Sequence, residues 1–256
     1  MIGKRLINTG AAADAVFTPS EHFNTVLYTG NGSTQRIGGY INRGALFNGS
    51  SSNIDLPNLG ISGANTRTIS AWVNVNSLSS NQTIFQFGSS AAVQRFGFAI
   101  DTSGKVYVEY YGRDAITSSA HITVGSWFHL AVTYNGGAIE TATNTQIYVN
   151  GSAVSMSTSG TSTGSANTTD SNYGIGYRRA SSTQYFNGKI DQVRIFDKAL
   201  SSSEVTTLYG ETHASTTIET TDIFDDDSGV ALYQLDGNAN DTGGASGKFG
   251  SAAIFN

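Results

Sequence analysis

Few residues in this 256-residue chain are equipped for chemistry. Glutamate occurs only at positions 21, 109, 140, 204, 211 and 219, and cysteine is absent. Thiolate chemistry and disulfides are thereby excluded. Splitting a glycosidic bond takes two carboxylates flanking the bond, one acting as acid and one as base or nucleophile. No strand-like stretch carries two glutamates, and Glu109 stands alone between Tyr107 and Tyr111. No Gly-x-Ser-x-Gly occurs in a strand–turn–helix setting, as a serine nucleophile of that type requires. His129 reads as a hydrogen-bonded structural residue. The remaining candidates suit binding. Aromatic rings stack on the CH face of a sugar while polar edges supply hydrogen bonds. Near expected loops these residues are Tyr107, Tyr110, Tyr111, Tyr177, Arg178, Arg179 and Tyr185. Asp191 alternates onto the same face as Val193 and Ile195. A carboxylate aimed inward needs a cation or several donors, and backbone N–H groups at a turn are the simpler supply. Asp225, Asp226, Asp227, Asp236 and Asp241 read as solvated linker charge.

These residues must be positioned by strands. Residues 68–75 place Ile69, Ala71, Val73 and Val75 on one face and Trp72 on the other, which implies that both faces are partly covered. Residues 105–111 alternate Val106, Val108 and Tyr110 against Tyr107, Glu109 and Tyr111. Residues 126–134 alternate Phe128, Leu130, Val132 and Tyr134 against Trp127, His129 and Ala131. Strands are also expected at 83–87, 96–100, 147–149 and 173–177. Asn150-Gly151 is a strong hairpin signal. Residues 155–172 are rich in Ser, Thr and Gly and read as a mobile loop or a plain connection. Val193 and Ile195 belong to a strand that runs into Ser201-x-x-Glu204, a capping box opening a short helix through Val205 and Leu208.

Composition agrees with many short strands joined by polar turns. Charged residues make up 13% of the chain, about half the usual share, and glycine numbers 30. The formal net charge of −5, with no basic cluster beyond Lys4-Arg5 and Arg178-Arg179, argues against nucleic-acid binding. No apolar run approaches the roughly 18–20 residues of a membrane span. The N-terminus lacks the apolar core of a signal peptide.

Several stretches resemble laminin-G-like, concanavalin-A-type jelly rolls. They are Ala45-Leu46-Phe47-Asn48-Gly49 with Ile54 to Pro57, the run SWFHLAVTY at 126–134, Ile147-Tyr148-Val149-Asn150-Gly151, and GKIDQVRIFDKALSSSEV at 188–205. The resemblance covers roughly residues 28–209. It implies an all-β fold, a two-sheet antiparallel jelly-roll sandwich with one short C-terminal capped helix. Glycoside hydrolases on this fold carry a Glu-x-Asp-x-x-Glu strand, which is missing here, so no enzyme is expected. In laminin-G and pentraxin-like relatives Ca²⁺ sits at loops such as the one near Asp191. Asp191 is thus the one candidate Ca²⁺ ligand, and no other cofactor is implied. Residues 24–39 resemble a segment of tailed-phage tail and fibre proteins.

The expected organisation is an arm at 1–24, a jelly roll at 25–211, and a linker with a partial repeat at 212–256. Leu27-Tyr28 and Gly38-Gly39 match Leu232-Tyr233 and Gly243-Gly244 at one offset. Ala45 to Asn48 match Ala253 to Asn256 after a three-residue slip. The tail is expected to add a strand to an exposed sheet edge, preferentially that of a neighbouring copy. The functional expectation is a structural and adhesion module of a phage virion that binds host-surface glycans. Its partners would be other virion proteins or copies of itself. The alternatives are a carbohydrate-binding module of a secreted, extracellular bacterial protein and, in a third class, a glycan hydrolase.

Overall fold

The structure is a computed structural model that describes residues 35–38, 40, 43–211, 223–224, 226–235 and 254–255. The N-terminal arm, most of the 24–39 segment and most of the linker lie outside the described residues.

The strands in chain order begin with β1 (Gln35–Gly38), β2 (Arg43–Asn48), β3 (Ile54–Asp55), β4 (Arg67–Val75), β5 (Gln82–Gly88) and β6 (Arg95–Ile100). They continue with β7 (Val106–Glu109), β8 (Arg113–Thr117), β9 (Trp127–Tyr134), β10 (Thr145–Val149), β11 (Ser152–Ala153) and β12 (Met156–Gly160). Last come β13 (Gly174–Ile175), β14 (Asn187–Phe196), β15 (Gly229–Tyr233) and β16 (Ile254–Phe255). One sheet has the order β1-β2-β14-β4-β9-β10-β11, with β15 also on β14. The other runs β12-β8-β7-β6-β5-β13-β3-β16. The fold is therefore the expected antiparallel two-sheet jelly roll. Residues 155–172 contribute a strand as well as loop, since β12 pairs with β8.

Alternation fills the space between the sheets. Ile69, Ala71, Val73, Val75, Leu130, Val132 and Ile190 come from the first sheet, and Phe85, Phe87, Phe96, Phe98, Val106, Val108 and Tyr110 from the second. Arg67 is also fully buried here. Its guanidinium donates to the Asn65 and Gly63 carbonyls (2.8 and 2.7 Å) and to Thr168 Oγ1 (2.8 Å). It lies 5.2–5.5 Å from the ring centres of Tyr134, Phe87 and Phe96, a cation–π setting. Burial pulls its pKa down to about 10.

The outer face of the first sheet is covered too, as Trp72 implied. Helix α1 (Ser202–Tyr209) forms through the predicted capping box: Ser201 Oγ accepts from Glu204 N–H, and Glu204 Oε2 accepts from Ser201 N–H at 2.7 Å. Val205 and Leu208 pack on Ala131, Tyr148, Phe196 and Leu200. Tyr40 stacks on Trp72 at 3.3 Å, and Tyr209 lies 5.6 Å from it. His129 is buried beside Trp72. Burial, and then the charge of Arg194, push its pKa down to about 3, so the ring is neutral. Among the described residues its Nδ1 has no hydrogen-bond partner, and the Trp72 and Tyr209 rings pack beside it.

Part of the tail adds a strand to its own sandwich. β14 is ten residues long, and β2 pairs only with its first half, Asn187 to Ile190. β15 takes the remaining edge of the same strand in the same chain, pairing Ile195 with Ala231 and Val193 with Tyr233. Val230, Leu232, Tyr233 and Leu235 are thereby buried.

A candidate glycan cleft on the outer face of the second sheet

Tyr107 and Glu109 point away from the core because Val106 and Val108 point into it. Across the β7–β8 hairpin, Tyr107 pairs with Ile116 and Glu109 with Asp114. Directly paired residues share a face, so two apolar and two acidic side chains form one square. On the other side of β7, Ala99 and Gly97 pair with Tyr107 and Glu109. They offer almost no side chain, yet Tyr107 is itself only 5% exposed.

The segment between β13 and β14 closes the cleft from the side. Ala180 N–H donates to Gln86 Oε1 (3.0 Å) and Thr83 N–H to the Gln184 carbonyl (2.9 Å), which pins the segment over β5. Arg178 and Gln184 then reach the square. The Arg178 guanidinium bonds Glu109 Oε2, and Tyr107 Oη donates to Gln184 Oε1 at 3.3 Å. On the far side Arg95 donates to Glu109 Oε1 at 3.0 Å and to Ser90 Oγ at 2.5 Å. Arg95 also lies 4.8 Å from the ring centre of Tyr111. The result is a cleft of about 240 Å³ lined by Asn81, Asp101, Tyr107, Glu109, Asp114, Ile116, Arg178 and Gln184.

The cleft perturbs its own acids. Burial first, then the neighbouring Glu109 charge, push the Asp114 carboxyl up to about 6, against a lowering by Arg178. Burial likewise pushes the Tyr107 phenol up to about 12.

The sequence candidates separate into three groups. Tyr107 and Arg178 line the cleft, and Tyr111 is exposed at the hairpin tip against Arg95. Tyr177, Arg179 and Tyr185 form an adjoining cluster that fastens β3 to β13. Tyr177 Oη bonds Asp55 Oδ1, Tyr185 stacks on Tyr177 at 5.6 Å, and Arg179 pairs with Asp55 at 3.3 Å. Arg179 also donates to the Leu56 and Tyr173 carbonyls. Tyr110 is a correction. It shares the face of Val106 and Val108, so its ring is fully buried, with its hydroxyl 2.7 Å from Thr145 Oγ1.

Asp191 is the second correction. Gln192 adopts a left-handed φ of 48°, and a bulge shifts the register between Asp191 and Arg194. The extra residue reverses the alternation, so Asp191 pairs with Trp72 rather than sharing the face of Val193. It is fully buried. Among the described residues no group of three or more His, Asp or Glu side chains is placed to hold a metal ion.

Asp114, Ile116 and Asn81 were not singled out from sequence, and Glu109 was read as solitary. One signal could have found Asp114. Tyr111 and Gly112, both with positive φ (56° and 96°), form the two-residue turn of a tight hairpin. That turn sets Glu109 opposite Asp114. A tyrosine where asparagine is usual concealed it.

The chain belongs to the laminin G type 3 family of the concanavalin A-like lectin/glucanase superfamily, whose model matches residues 48–206. No curated protein sequence matches it. Among solved structures it is similar to domain 4 of AbnA, an extracellular arabinanase from Geobacillus stearothermophilus solved with arabinotriose. The TM-score is 0.54 at 24% identity, covering 73% of this chain and 85% of that one. A putative carbohydrate binding protein from Bacteroides ovatus matches with a TM-score of 0.56 at 21% identity, over 82% of this chain and 57% of that one. At these identities the likeness is one of fold. No helix among the described residues is long and apolar enough to cross a membrane.

Proposed function

We propose that the chain is a non-catalytic carbohydrate-binding module that holds a glycan in the cleft on the outer face of the second sheet. The observation that carries this reading is the make-up of the cleft, where an apolar pair, Tyr107 and Ile116, lies beside a polar set of Glu109, Asp114, Arg178 and Gln184. Sugars present the same division between a CH face and hydroxyl edges. The family and the two similar structures support the reading, since one is a domain solved with arabinotriose and the other a putative carbohydrate binding protein. The absence of catalysis rests on Glu109, whose two oxygens are each taken by a guanidinium. The setting we favour is a tailed-phage virion, where the module would attach to host glycans beside other virion proteins. This follows from the resemblance at residues 24–39. A secreted bacterial module would use the same cleft.

A glycan array probed with the intact chain, then with Tyr107→Ala and Arg178→Ala, tests the site. Bound glycans are expected to be lost or weakened at least tenfold in both variants. Hits that both folded variants retain unchanged would place binding elsewhere.

A further inference from the structure

One sheet edge in this molecule has two claimants. The second half of β14 holds β15, with Ile195 opposite Ala231 and Val193 opposite Tyr233. The place takes a short apolar strand, since Val230, Ala231, Leu232 and Tyr233 are all buried there. The chain carries that strand twice. At one constant offset Leu27-Tyr28 repeats Leu232-Tyr233, and Gly32, Gly38 and Gly39 repeat Gly237, Gly243 and Gly244. Thr25 and Val26 stand where β15 has Val230 and Ala231, and both residue types suit a strand.

Residues 24–28 lie outside the described residues, but the point at which their chain joins the sheet is fixed. Gln35 opens β1 and pairs with Leu46, which pairs with Lys189 of β14. β1 therefore starts one strand beyond β2, at the level of Lys189, while Tyr233 sits at the level of Val193. At about 3.3 Å per residue and 4.8 Å per strand spacing, Gln35 is roughly 14 Å from the place of Tyr233. The chain from Tyr28 to Gln35 spans up to about 23–25 Å, so the arm reaches this place within its own molecule. β2 leaves the place clear, because its pairing with β14 ends at Ile190.

We propose that residues 24–28 exchange with β15 for the second half of the β14 edge, with Val26 opposite Ile195. β15 is the major occupant because two further contacts anchor it: Lys198 pairs with Asp226 at 2.6 Å, and Asp197 N–H donates to the Ser228 carbonyl at 3.0 Å. When the arm is seated, residues 229–233 are released as an unpaired apolar strand. Such a strand adds to another sheet edge. The exchange thus switches the C-terminal segment from filling its own sandwich to binding that of a second copy.

The test places thiols at all three positions of the whole chain, in the triple variant Val26→Cys, Ile195→Cys, Ala231→Cys. The chain has no other cysteine. In a glutathione redox buffer the thiol at 195 partitions between its partners by thiol–disulfide exchange, and peptide mass mapping of the monomer counts the bridges. The 195–231 bridge is expected to dominate, with the 26–195 bridge in about 1–10% of monomers. Adding Leu232→Asp places a charge in the buried part of β15 and should raise the 26–195 share about tenfold. Adding Leu27→Asp instead should remove that share. No 26–195 bridge, or one that Leu27→Asp leaves unchanged, overturns the proposal. A 26–195 bridge confined to disulfide-linked dimers overturns it too, because the place then belongs to the arm of another copy. A prevailing 26–231 bridge also overturns it, by putting the arm outside β15. Should Leu232→Asp fail to fold in a melting scan, the share in the triple variant and its response to Leu27→Asp still decide.

Discussion

Glu109 and Asp114 are direct cross-strand partners on β7 and β8, yet their carboxylates live in opposite surroundings. Glu109 is clamped by Arg95 and Arg178. Asp114 has its pKa pushed up to about 6 by burial and by Glu109, from an ordinary value of 3.8. Between those two values the folded chain holds a proton that the unfolded chain has released. Stability therefore falls as pH rises through that window, and the deficit persists above it. Asp114→Asn removes the ionisable group at nearly constant shape. Its melting temperature is expected to exceed that of the parent at pH 7.5 and to match it at pH 3.5. Scanning calorimetry at the two pH values checks this, and an equal difference at both would show that ionisation is not the cause.

Arg67 presents the reverse case, a cation kept inside the core. Its three hydrogen bonds end on Asn65, Gly63 and Thr168, and aromatic rings surround it. Removing it strands those acceptors and leaves a cavity. Arg67→Ala is expected to lower the unfolding free energy by about 3–5 kcal/mol, the cost of breaking a buried charged network. Arg67→Lys should recover only part, because an ammonium cannot reproduce the planar fork. Urea denaturation reads both values, and a loss below about 1 kcal/mol for the alanine variant would show that the network contributes little.

Much of this fold could be read in the sequence because its signals are local. The Asn150-Gly151 turn, with φ of 49° and 77°, and the Ser201–Glu204 capping box need only neighbouring residues to form. The core stripes of β4 and β9 follow from alternation alone. What escaped reading depended on departures from regularity or on distant chain. The bulge after Asp191 turned that carboxylate to the other face through one left-handed residue, Gln192. The cleft needed Arg178 and Gln184, which are remote in sequence, to fold back over β5. Tyr110 and Tyr111 are adjacent tyrosines, and only the direction of the core decides which of them is buried.

The capping box gives a small, well-bounded expectation. Ser201→Ala removes the acceptor for the Glu204 N–H, and the loss is expected to be about 1 kcal/mol. The helix should stay docked, since Val205 and Leu208 remain buried on Phe196 and Leu200. Denaturant titration measures the cost. A loss above about 3 kcal/mol would mean that the cap supports more than its own helix.

Catalysis is expected to be absent. The Glu109 carboxylate, the one glutamate of the cleft, already has an arginine on each oxygen. It is thus poorly placed to attack an anomeric carbon or to activate water. Incubating the chain with arabinan, chitosan or host-cell polysaccharide should release no reducing ends above buffer. Release that disappears in Glu109→Gln would establish a glycosidase and displace the binding-module reading.

The last prediction concerns β15. This strand belongs to the segment that repeats the start of the domain, and it lies on the second half of the β14 edge. An edge with open N–H and C=O groups accepts any strand of suitable pattern, from its own chain or from another. The single-chain arrangement makes a definite geometric statement, that Ile195 and Ala231 of one molecule are cross-strand partners. The chain has no cysteine, so within one molecule the double variant Ile195→Cys, Ala231→Cys can form only that bridge. Cross-strand partners have Cβ atoms within the reach of a disulfide after small adjustment. Oxidised at low protein concentration, the variant is expected to run as a monomer on a non-reducing gel and to lose free thiol completely. A ladder of dimers and higher species would mean that the strand is exchanged between copies, as the sequence alone suggested. Persistent free thiol in a folded protein would mean that β15 does not occupy this edge.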